Sequence, residues 1–249
     1  MMNKIHIHFL FFFLFVGNSI FAQIPKQGEA IYMVALNLNK AKIQNFEKKI
    51  EEKGTDKTTT QEAINVLQSQ KHALSSVQFK DGLSYYSALG SADMKSGINI
   101  AQIAIEKYGD FYTDISKGIV FNKKEFKGKE FLIQRNIQDI HWQITDEKKT
   151  IGKYLCTKAI STYSEVTNKG KIKEKPIIAW FMENSDIAIA PEGYYGLPGM
   201  VVQLEANGLF YSLKDIVEKE VNIDFNINEN KAISYQEYIQ KQIDFYKKQ

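Results

Sequence analysis

Asp139-x-His141 is the one spacing in this chain that suggests proton-transfer chemistry. Residues two apart on an extended strand share a face, so the carboxylate could orient the imidazole as a general base. The supporting cast is thin. Of four histidines, His6 and His8 lie in an apolar leader, and His72 falls in a helical stretch where it is expected to face solvent. No Gly-x-Ser-x-Gly elbow or other nucleophile signature accompanies the pair. A hydrolase working through His141 and Asp139 is therefore an alternative reading, and no catalytic residue is assigned.

Cys156 is the only cysteine, so no intramolecular disulfide can form. Its surroundings, Tyr154-Leu-Cys-Thr-Lys-Ala-Ile160, alternate like a half-buried strand, and the thiol is expected to act as a small buried hydrophobe. Metal binding has no support in the sequence: His-Glu-x-x-His, Cys-x-x-Cys and calcium-loop patterns are all missing. Gly193 to Gly199 is glycine-rich but lacks the Lys-Ser/Thr of a phosphate loop, so no cofactor is expected.

The stretch Glu192–Glu205 is the most heavily punctuated part of the chain. It holds three of the 15 glycines and one of only four prolines, just before an alternating apolar run. Gly193 and Gly196 permit positive φ, Pro198 fixes its own φ, and Leu197 before it is pushed towards extended geometry. Leu197-Pro198-Gly199-Met200 predicts a type II turn with proline second and glycine third, feeding a strand that starts at Met200. A fold-defining turn is favoured over a ligand contact. Tyr194 and Tyr195 would cover the sheet edge or rim a cavity. With Trp142 and Trp180 they are the candidate contacts for a ligand or partner.

The elements that must position these residues are mostly strands. Gln27–Asn37 opens with alternation, and Val77–Tyr86 carries a turn at Asp81-Gly82. Hairpins are predicted about Lys117-Gly118 and within Phe126–Ile133, and strands over Ile140–Ile144, Tyr154–Tyr163, Ile177–Met182, Ile187–Ile189, Met200–Leu204 and Leu209–Leu213. Lys169–Lys175 and Ser91–Gln102 read as loops, the second of them mobile. Residues 40–75 have helical spacing around a turn at Lys53–Lys57, which predicts an inserted helical hairpin, its second helix capped by Thr60 with Ala63 or by Thr59 with Glu62, the latter fitting a capping box. Ser234 caps a C-terminal amphipathic helix, with Glu237 three residues on. The fold class is mainly β, a β-rich α+β arrangement: an antiparallel sheet, sandwich or half-open barrel in one domain over 23–249.

Residues 1–22 have the layout of a cleavable signal peptide: Lys4, an apolar core from Ile5 to Val16, and Ala22 before Gln23. That apolar core is short of the roughly 20 residues a bilayer span needs, so no transmembrane span is expected in the mature chain. A net charge of +3, with charges interspersed, disfavours nucleic acid as a partner.

Several blocks in order, Ile140–Ala159, Ala179-Trp180, Ile187–Gly193 and Gly196–Val201, resemble the GLPGLI family of exported Bacteroidetes proteins. The likeness extends over about residues 110–213, with Met200-Val201 where the family name has Leu-Ile. It implies an exported, strand-rich protein in the periplasm or outside the cell, and it brings no established activity. The order of strands is analogous to half-open barrels of the lipoprotein-carrier type, an analogy that does not confer their function. The abundance of aromatics, the strand pattern and the missing catalytic set lead to the expectation of a non-enzymatic binding protein for a hydrophobic ligand or an envelope protein. A structural partner of outer-membrane machinery is a further alternative.

Overall fold

Period-two alternation carries through most of the chain, and the result is one long sheet. The computed structural model describes residues 24–38, 40–68, 72–90, 99–183, 185–225 and 227–248. The 1–22 leader lies outside the described residues, as do 91–98 of the expected mobile loop. The strands are β1 (Gln27–Leu36), β2 (Ala73–Lys80), β3 (Leu83–Leu89), β4 (Asp110–Asp114), β5 (Ile119–Phe126) and β6 (Lys129–Asn136). They continue with β7 (Gln143–Ile151), β8 (Tyr154–Val166), β9 (Ile172–Met182), β10 (Met200–Ala206), β11 (Leu209–Val217) and β12 (Ile233–Ser234). Their spatial order is β12-β6-β5-β4-β3-β2-β1-β11-β10-β9-β8-β7, and the sheet is not closed into a barrel. All neighbours are antiparallel except the short β12, which runs parallel to β6.

One face of this sheet carries the core. Ala30, Tyr32 and Val34 of β1 share it with Val77 and Phe79 of β2, Tyr86 of β3 and Tyr211 of β11. Ala159, Ala179, Phe181 and Leu204 continue it across β8, β9 and β10. The small side chains let packed elements approach that face closely.

Four helices complete the described chain: α1 (Lys40–Glu51), α2 (Lys57–Gln68), α3 (Ile100–Tyr108) and α4 (Tyr235–Lys247). The α1–α2 hairpin is inserted between β1 and β2, as its spacing predicts. It ends at Gln68, so Ala73 and Leu74 belong to β2, and His72 is an exposed residue just before that strand. Asp56, not Thr59, caps α2, its carboxylate accepting from the Thr59 N–H at 3.0 Å. A carboxylate placed before the first turn satisfies free N–H groups and opposes the helix dipole.

Helix α3 corrects the expected loop. Asn99 accepts from the Gln102 N–H at 3.1 Å and starts a turn whose Ala101 and Ile105 are wholly buried against the core. Three further expectations shift. Residues 137–139 form a single 3-10 turn, so β7 starts only at Gln143. Residues 187–189 are not a strand, and Ile172–Lys175, expected in a loop, extend β9 outwards. Helix α4 has the Ser234 cap the sequence predicts, with Oγ accepting from Glu237 N–H at 3.1 Å. It packs Tyr238 and Phe245 against Phe126 and Phe131 of β5 and β6, and its Tyr235 hydroxyl donates to the Ser164 carbonyl of β8. The two arms of the sheet are thus tied together by α4 and by the 137–142 connection.

Candidate functional site

The glycine-proline segment does not line the core; it fills it. Ile189, Tyr194, Tyr195 and Leu197 are all buried in the main apolar cluster. The Val201 N–H donates to the Ile189 carbonyl at 2.8 Å, which lays the segment along the free side of early β10. Tyr32 of β1 donates to the Val201 carbonyl at 2.6 Å. Tyr195 donates to Ser84 Oγ at 2.6 Å, and its carbonyl accepts from Trp142 Nε1 at 3.0 Å. Tyr194 stands against the Arg135 guanidinium, 5.5 Å from its ring centre. Neither tyrosine rims a cavity or covers an edge, because both rings are inside.

The turn itself differs from the expected type II geometry. Gly199 N–H donates to the Leu197 carbonyl at 2.9 Å, closing a three-residue turn on Pro198, and Gly199 has φ of 153° where a type II turn asks for about 80°. Glycine is required here by close approach: a Cβ on Gly199 would run into the Met182 carbonyl oxygen of the paired strand β9. Gly193 (φ 67°) is hemmed in similarly, since a Cβ there would lie 2.7 Å from Val120 Cγ1 and 3.1 Å from Arg135 Nη2.

Trp142 and Trp180 are both half-buried and pack against this cluster, Trp142 with its ring beside Gly196. Ala179 and Phe181 are wholly buried, so alternation turns Trp180 to the other face of the sheet. There Lys149 Nζ sits 4.0 Å from its ring centre and Lys158 Nζ 5.9 Å.

The proposed acid-base pair is not assembled. Asp139 Oδ2 accepts from the Asn136 N–H at 2.8 Å and caps the 3-10 turn, while His141 is exposed and contributes only its carbonyl, to Ser161 Oγ at 2.9 Å. Among the described residues no hydrogen bond links the two side chains. Cys156 is buried, which pushes its thiol up to about 11. Among the described residues, no group of three or more His, Cys, Asp or Glu side chains is placed to hold a metal ion. An open cleft at the start of β1, lined by Lys26, Gln27, Lys80 and Glu218 among others, lies away from these residues.

The residue that sequence reading passed over is Glu192. It is wholly buried and sits in the left-handed region at φ 49°, ψ 29°, in a single 3-10 turn begun by Pro191. The Tyr211 hydroxyl of β11 makes a close hydrogen bond to Oε1, and Asn207 Nδ2 of the β10–β11 turn donates to Oε2 at 2.6 Å. Arg135 Nη2 of β6 donates to the carbonyls of Glu192 at 3.2 Å and of Gly193 at 2.7 Å. Burial pushes the carboxyl up to about 7, against the opposing pull of Tyr211, Asn207, Lys124 and Arg135. Burial also brings Lys124 of β5 down to about 8 and holds Tyr194 and Tyr211 well above the usual phenol range. A carboxyl poised near neutrality has general acid-base capacity, but Glu192 is sealed from solvent and acts within the fold. The signal in the sequence was its isolation: one charge between Ile187-Ala-Ile-Ala-Pro191 and Gly193-Tyr-Tyr.

No family model matches the chain, and no curated protein is similar to it. Two solved structures of PNGF-II, in space groups C2 and P21, each superpose with a TM-score of 0.46 at 11% identity. Each covers 88% of this chain, which spans 33% of the length of the matched protein.

Proposed function

We propose that this chain is an exported, non-catalytic member of the GLPGLI family that binds a protein partner in the cell envelope. The ordered blocks between about 110 and 213 and the leader ahead of Gln23 support the family and the export. The observation that carries the mode of action is the occupied core face of the sheet. Where the fold could hold a hydrophobic ligand, Ile189, Tyr194, Tyr195 and Leu197 are already packed. Of the four aromatic residues the sequence singles out, Trp180 is the half-buried one whose ring carries two lysines, Lys149 and Lys158. Tryptophan is over-represented among the energetic centres of protein interfaces.

The test is a photo-cross-linking amino acid at position 180 in cells that make the full chain, with the exposed turn residue Asp81 as the control position. A discrete protein adduct from position 180, absent from position 81, supports the reading. No adduct at position 180 contradicts it, and so does purified protein that carries a stoichiometric lipid by native mass spectrometry.

A further inference from the structure

We propose that Glu192 is a proton-linked latch: with its carboxyl neutral the 187–199 segment is seated in the core, and loss of that proton loosens it. The geometry is that of a carboxyl with no solvent contact, set in a left-handed residue and placed midway along a segment that bridges distant strands. Titratable or charged groups face it from six of the surrounding elements, while β2 and β4 also pack against its turn. Tyr211 comes from β11, Tyr86 from β3, Tyr108 from α3 and Tyr163 from β8, with Lys124 from β5, Arg135 from β6 and Tyr194 from the segment itself.

Four of those groups are phenols, neutral around physiological pH, and Tyr194 adds a fifth. Two cations face the carboxyl, but Arg135 spends its close hydrogen bonds on the backbone carbonyls of Glu192 and Gly193, and among the described residues Lys124 makes no ion pair with the carboxylate. Ionised Glu192 is therefore a buried charge without a contact counter-ion, held by one phenol and one amide. The neutral acid has an alternative. The Tyr86 hydroxyl and Ser75 Oγ are buried beside Tyr211, and among the described residues neither makes a close hydrogen bond, although Tyr86 lies within reach of both Ser75 and Tyr211. A protonated Glu192 can donate to the Tyr211 oxygen, freeing the Tyr211 O–H to turn towards Tyr86. The proton released on ionisation goes to solvent, so opening of the segment and loss of the proton are linked.

The segment has fixed points that do not titrate, namely Val201 N–H on the Ile189 carbonyl and Trp142 on the Tyr195 carbonyl. Loosening is therefore expected to be local, centred on 191–195.

The experiment follows urea unfolding of the wild type and Glu192→Gln across about pH 5 to 8. The folding equilibrium constant of the wild type is expected to fall on the order of a hundredfold relative to the variant, whose Gln cannot ionise. Equal pH slopes overturn the proposal. Should the variant fail to fold, hydrogen exchange of the wild type, corrected for intrinsic base catalysis, decides the matter. Protection over 187–199 that drops with a midpoint near the Glu192 value of about 7, while β9 keeps its protection, supports the latch. No drop, or a uniform drop through the sheet, overturns it.

Discussion

Residues 187–199 and the α1–α2 insertion both interrupt the strand pattern, but one is interior and the other is appended. The first has little regular structure, yet its Ile189, Tyr194, Tyr195 and Leu197 are buried and its polar groups reach several strands. The second is regular helix, yet among the described side chains α1 buries none and α2 buries only Thr60 and Ile64, neither in the main apolar cluster. Regularity is therefore a poor guide to structural weight here. An irregular segment can serve as core when its glycines allow close approach and its backbone groups find partners on surrounding strands. A helical hairpin can remain peripheral when it enters and leaves between paired neighbours, as this one does between β1 and β2.

Substitutions at matched positions sharpen the contrast. Gly199→Ala is expected to cost more than about 3 kcal/mol in urea unfolding, because the new Cβ meets the Met182 carbonyl and φ is 153°. A cost near that of an exposed glycine would break the assignment of this segment to the core. The next largest effect is pH-dependent. Glu192 has a folded value of about 7 against 4.5 for a free glutamate, so its contribution is complete below 4.5 and is lost as pH rises through 7. That loss amounts to about 3 kcal/mol at most. Glu29, which Lys219 pairs at 2.5 Å, is shifted down, and its contribution is lost in the opposite direction, as pH falls through its folded value. A Glu192→Gln chain that keeps the wild-type slope on the neutral side would remove the first term.

Tyr195→Phe leaves the buried Ser84 without its partner and is expected to cost about 1–2 kcal/mol by thermal or urea unfolding. In the insertion, Gly54→Ala at φ 78° meets no neighbouring atom and is expected to cost only about 1 kcal/mol of local strain. Replacing 40–68 by a short turn should change stability by no more than about 1 kcal/mol, since β1 and β2 are already paired up to Val34 and Ala73. A large loss on that replacement would place the insertion in the fold's core and undo the comparison.

The strands were readable in the sequence because half-buried strands must alternate, as Leu209–Leu213 and Tyr154–Tyr163 do. The Asp81-Gly82 and Lys127-Gly128 hairpins were readable because both need left-handed residues. Helix α3 was missed because Asn99 and the Ile-Ala repeat behind it follow a polar stretch that resembles loop. The Pro198 turn was misread because local rules weigh proline and glycine in isolation. Here the Met182 carbonyl, seventeen residues upstream, dictates the backbone at Gly199. Glu192 was invisible for the same reason: its partners Tyr211, Asn207 and Arg135 arrive from three separate places in the chain. Asp139 and His141 shared a face only on the premise of a strand, and the 3-10 turn at 137–139 removed it.

Native-state hydrogen exchange at acidic pH, below the titration of Glu192, tests most directly the claim that 187–199 is core. The account expects the Val201 and Tyr194 amides, bonded to the Ile189 and Pro191 carbonyls, to exchange as slowly as those of β1 and β9, with α1 and α2 far faster. Exchange of 187–199 as fast as the insertion would contradict it.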